Sequence, residues 1–152
     1  MKLETPADVD REETIARTLA RAWRCEWGRM GPYSPFDVYL MREARIAALA
    51  EIKTRGDRTC HGFSTVLINL NKWFSLMQGE IGLQLPCFYV VAFTDGIWTV
   101  RIGSLPVNTF KINYRGRSDR PQAVNDQAPV IEVPSAEFKF VCACDGIWTD
   151  GK

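Results

Sequence analysis

The sequence predicts a mixed α/β domain on three observations. An amphipathic, acid-led stretch opens the chain. Apolar runs of strand length recur after residue 36. One further helical pattern, "NKWFSLMQGEIGLQ", interrupts them. The 152 residues are 46% hydrophobic and 24% charged, which is a globular composition with room for a core. One domain over 1–152 is expected, with a core of about 8–103 and a C-terminal β extension of about 104–152. No apolar run reaches membrane-span length, and the N-terminus carries no signal-peptide region. The five cysteines form no disulfide framework, so a cytoplasmic chain with reduced thiols is the expectation.

The first element is "TPADVDREETIARTLARAWRCEW", read as a helix. Ile15, Leu19, Ala22 and Trp23 form its stripe, Asp8 or Asp10 its cap, and Glu12 and Glu13 suit its first turn. "GRMGPYSP" ends it with two glycines and two prolines. "FDVYLMREARIAALAEIKTR" comes next and reads two ways, and the polar "RGDRTCHG" follows as a loop. "STVLINL" is strand-like, with Val66, Ile68 and Leu70 on one face, and the helix after it turns Trp73, Leu76 and Met77 inward. "PCFYVVAF" is a buried strand joined by "TDG" to its partner "IWTVRI". "TFKINYRG", "VIEVP" and "FKFVCAC" supply the further strands. "DGIWT" occurs at Asp95–Thr99 and again at Asp145–Thr149, each time after an apolar strand, and predicts two hairpin turns of the same chemistry.

Net charge is +1 but unevenly spread. Residues 101–120 hold Arg101, Lys111, Arg115, Arg117 and Arg120 against Asp119, whereas residues 1–13 are acidic on balance. A basic segment beside carboxylates suits a protein that grips phosphates and holds a cation, and equally a solvated surface. Other chemistries fare worse. Cys60, His61, Cys142 and Cys144 do not have the spacing of a zinc finger. His61 is the one histidine and has no triad motif around it, and no glycine-rich phosphate loop is present.

The ambiguous segment decides the function. "LMREARIAALAEIK" is rich in helix formers, and a helix would set Glu51 and Lys53 about 200° apart. A hairpin turning near Glu43-Ala44-Arg45 would put Glu51 and Lys53 on one strand face, with Asp37 on the neighbouring strand. Two carboxylates with a gap between them make a hard oxygen site suited to Mg²⁺, and a nearby lysine can hold a water.

"SPFD" followed fourteen residues on by "EIK" resembles the PD-(D/E)xK, or restriction-endonuclease-like, nuclease superfamily. The chain is most similar to its small phage-encoded members and to Holliday junction resolvases, over roughly residues 11–140. Phe36, not proline, stands directly before Asp37, with Pro35 one place earlier. The resemblance selects the hairpin. It implies a central mixed β-sheet flanked by helices, with extra C-terminal strands. It also implies a Mg²⁺-dependent DNA endonuclease or exonuclease, with Mn²⁺ as substitute. Asp37, Glu51 and the Ile52 carbonyl would be metal ligands, and Lys53 would position the water. Glu12 (Glu13 as fallback) would act through a second metal or a metal-bound water, and Lys72 would touch a phosphate. Arg55, Arg115, Arg117 and Arg120 would contact the DNA backbone. The alternative is a nuclease fold that binds nucleic acid or a partner without cutting. One domain of this length leaves no room for a separate target-reading domain, which points to branched, end or non-specific duplex DNA. Two-strand cutting further suggests a homodimer, with Phe138–Cys144 and an exposed tail carrying Trp148 as the interface.

Overall fold

The computed structural model describes residues 6–115, 128–144 and 147–148. Helix α1 spans Pro6–Ala22 and α2 spans Leu70–Leu83. The strands are β1 (Glu26–Arg29), β2 (Val38–Arg42), β3 (Arg45–Arg55), β4 (Thr65–Asn69), β5 (Cys87–Phe93), β6 (Gly96–Arg101), β7 (Lys111–Arg115), β8 (Ala128–Pro134) and β9 (Lys139–Cys142). A six-stranded mixed sheet has the order β1-β2-β3-β5-β6-β9, and a three-stranded sheet the order β4-β8-β7. The C-terminal strands therefore divide, with β9 closing one edge of the main sheet and β7 and β8 building the second sheet on β4.

Residues 45–55 are strand, so the hairpin is the observed state. β3 pairs antiparallel with β2 and parallel with β5. Its alanines have a packing reason. Ala48 and Ala50 are buried in the same apolar cluster as Ala16 and Leu19 of α1, so small side chains on the strand meet a small one on the helix. On the opposite face Leu49 joins Trp73 and Leu76 of α2 and Val66, Ile68, Ile131 and Val133 of the second sheet. Strand alternation thus sends β3 into two separate cores.

Four local expectations are corrected. Helix α1 begins at Pro6, leaving Asp8 inside its first turn rather than at the cap. Its buried stripe ends on Ala20, with Ala22 exposed and Trp23 half-buried beyond the helix against Phe88. "EWGR", read as helix end and break, is the edge strand β1, with Gly28 allowing the Tyr39 ring to lie where a Cβ would sit. Trp148 is half-buried rather than part of an exposed tail. Its indole Nε1–H donates to the Phe93 carbonyl at 3.0 Å, and Ile147 beside it is buried. Among the described residues no helix is long and apolar enough to cross a membrane.

Candidate active site

β3 outruns β2. The β2–β3 register ends at Val38↔Ala50, whereas β3 continues beside β5 to Arg55↔Phe93. Residues Glu51–Arg55 therefore have an open edge on the β2 side. Asp37, one residue before β2, sits at that opening. Its backbone N–H donates to Ala50 O at 3.0 Å, and its carboxylate Oδ2 accepts from the Ile52 N–H at 2.8 Å. The side chain replaces the missing strand as the partner of that amide. In an extended strand the N–H and C=O of one residue leave by the same edge, so the Ile52 carbonyl faces the same opening.

Glu51 lies on the α2 face and is buried. Lys72, in the first turn of α2, reaches it with Nζ 3.3 Å from each carboxylate oxygen. Burial and then the charge of Asp37 push the Glu51 carboxyl up to about 7, against the opposing pull of Lys72 and Lys53. Lys53 shares this face two residues on. Glu12 comes from α1 and is buried with Ile15, Ala16 and Leu19, one turn and two turns further along the same helix face. A cavity of about 530 Å³ is lined by Glu12, Asp37, Glu51, Lys53 and Lys72, together with Arg29 and the segment 30–36. Glu13 does not line it.

The sequence reading missed Arg29. Its guanidinium holds Glu12 at 3.3 Å and Glu13 at 3.4 Å, and donates to the Val9 carbonyl at 3.2 Å. Nothing in "GRMGPYSP" marks it, because its role comes from the pairing of β1 with β2. Arg55 is half-buried at the end of β3 and donates to the Thr54 carbonyl. Arg117 and Arg120 lie outside the described residues, and of Arg115 only the backbone in β7 is described.

Among the described residues no group of three or more His, Cys, Asp or Glu side chains is gathered to hold a metal ion. The donor set at the open edge is instead two carboxylates and a carbonyl. That set fits a hard cation that keeps several waters.

A central mixed sheet with a helix on each face, and an Asp and a Glu-x-Lys meeting at an open strand edge, defines a protein of the restriction-endonuclease-like class. The family described as "Phage putative PDDEXK endonuclease" matches residues 1–141, and the chain belongs to that family, whose described activity is that of a nucleic-acid hydrolase. The solved structure of Archaeoglobus fulgidus Hjc, a Holliday junction resolvase from an archaeal hyperthermophile, aligns with a TM-score of 0.51. Identity to it is 8%, covering 84% of this chain and 85% of that one, so the likeness is one of fold. No curated protein matches the sequence.

Proposed function

We propose that the chain is a Mg²⁺-dependent DNA nuclease whose site is the open edge of β3. The single observation that carries this is the convergence of Asp37, Glu51, Lys53, Lys72 and Glu12 on one cavity from α1, β3, α2 and the segment before β2. Asp37, Glu51 and the Ile52 carbonyl would hold the cation, which supplies charge neutralisation on the phosphate and a more acidic water. Lys53 orients the attacking water from the same strand face. Glu12, held by Arg29, takes a proton or a water on the α1 side. Lys72, beside Glu51 at the same cavity, would contact a phosphate oxygen. Arg55 extends the contact along the DNA backbone, which positions the strand without reading its sequence. The reading in which the fold binds without cutting would predict a lost ligand, and here Asp37, Glu51 and Lys53 all stand in place.

Labelled linear, nicked, flapped and four-way DNAs with Mg²⁺ or Mn²⁺ test the reading. Cleavage of at least one substrate, abolished in Glu51→Gln, is expected. No cleavage of any of them by the wild type would overturn it. We further propose a two-fold homodimer in the host cytoplasm, because cutting both strands takes two sites. Light scattering at micromolar concentration measures the state.

A further inference from the structure

A second, smaller cavity of about 180 Å³ lies behind the first, lined by Asp8, Arg11, Glu12, Ile52, Lys53, Thr54 and Arg55. Glu12 and Lys53 line both cavities, so the two meet at the open edge of β3. Three cations face it against two carboxylates, and one of those carboxylates, Glu12, is already engaged by Arg29. Arg11 has an unusual support. Its guanidinium carbon stands 5.1 Å from the centroid of the Trp148 ring. A guanidinium over an indole face keeps its in-plane N–H donors free for a planar or tetrahedral anion. Trp148 is in turn fixed by its hydrogen bond to Phe93 O and by Gly56, where an added Cβ would come within 2.8 Å of the ring. Residues 147–148 lie beyond the span matched by the family, so this support is a feature of the chain's own C-terminus.

We propose that this cavity seats a second phosphate of the DNA strand, next to the one at the carboxylate site, with Arg11 and Arg55 as its ligands and Trp148 as the positioning residue for Arg11. The inference rests on the nuclease reading above and adds to it a defined register for the bound strand. Arg11 and Arg55 grip the strand at one linkage while Lys53 works at the neighbouring one. The strand then runs along the open edge of β3 and enters between α1 and the end of β3.

The test is binding of a fluorescein-labelled duplex in EDTA, read by anisotropy across a salt series, so that cleavage does not enter. Arg11→Gln and Arg55→Gln should each flatten the log–log salt slope in part, and the double variant by about 1, the one phosphate the pair neutralises. A single uncharged methylphosphonate linkage is then walked along the strand. At one linkage the wild type should lose the same factor in affinity that the double variant loses on intact DNA, the double variant should be indifferent there, and Arg11→Gln should lose less than the wild type. Trp148→Leu should shrink that linkage-specific loss and Trp148→Phe should restore it. Gly56→Ala, which leaves the indole in the chain but pushes it aside, should behave like Trp148→Leu. A wild type that binds DNA while Arg11→Gln keeps the same slope and the same linkage pattern overturns the subsite and leaves the nuclease reading standing. A wild type that neither binds nor cuts DNA overturns both.

Discussion

Two carboxylate–cation pairs sit at opposite ends of α2 and are oppositely tuned. Glu51 meets Lys72 at the start of the helix, and Glu80 near its end meets Arg101 on β6. The carboxylate side chains are 8% and 9% exposed, but Glu51 is enclosed more deeply among protein atoms than Glu80. Burial would raise both. At Glu80 it is outweighed by the Arg101 side-chain hydrogen bonds, then by the Cys87 and Gly103 amides, and then by Arg101's charge, leaving the carboxyl below its ordinary range. The Arg101 fork donates twice at 3.1 Å, and the two amides donate at 2.9 and 3.1 Å. Glu51 has one ammonium at 3.3 Å and a like charge beside it, and it is pushed up to about 7. Glu80 is a filled structural joint that ties α2 to β5 and β6. Glu51 has fewer donors for its burial, which supports the cation-ligand role proposed for it.

The largest effect expected from this contrast is on catalysis. Glu51→Gln or Asp37→Asn should lower the cleavage rate by roughly 10³-fold or more, the several kcal/mol a metal site supplies, while Glu80→Gln should leave the rate within a few-fold. Gel-based single-turnover rates decide it, and equal losses at both positions would break the comparison. Next is Lys53→Ala, which should keep divalent-cation binding measured by calorimetry yet lose on the order of 10²-fold in rate, because it acts on the nucleophile. Third, Glu80→Gln should cost about 1–3 kcal/mol in urea unfolding at neutral pH, since it weakens several charge-assisted bonds at once.

The pH dependence sharpens this third test. The folded pKa of Glu80 is lowered, so its contribution is present above the unfolded value and is lost as pH falls through the folded one. The gap between wild type and Glu80→Gln should therefore close in acid. Glu51 has the opposite sign. Between about 4.5 and about 7 the metal-free folded protein holds a proton that the unfolded chain releases, so its contribution falls as pH rises. Unfolding curves of Glu51→Gln against pH should lack that decline. The smallest effect is Arg101→Lys. The side chain is half-exposed and keeps its charge, so losing the fork should cost about 1 kcal/mol or less by urea unfolding.

Much of this arrangement was legible in the residues, unevenly so. The apolar runs of β5 and β6 and the Asp95-Gly96 turn between them mark a buried hairpin, and Trp73 and Leu76 mark the inward face of α2. Segment 45–55 was not decided by its own composition. Its alanines suit a helix locally, and only packing beneath α1 makes them suit a strand. The β2–β3 turn also lacks its usual signal, because Glu43 and Ala44 take φ of 53° and 63° without asparagine or glycine. The Asp and Glu-x-Lys pattern located the carboxylates and Lys53 before any coordinates. Arg29 and Arg11 stayed hidden, as did the packing of Trp148 on its own chain, because each acquires its partner across long stretches of chain.

The open edge of β3 has a further consequence, for solubility. A strand edge with unpaired backbone is a template on which another chain can add a strand. Here the edge is only five residues long, its Ile52 amide is capped by Asp37, and Lys53 and Arg55 bring two positive charges to it. Cations on an exposed edge discourage a second strand from docking. The cations proposed to meet a polyanion would thus also keep one copy of the chain from zipping onto the next, and neutralising them would expose a sticky edge.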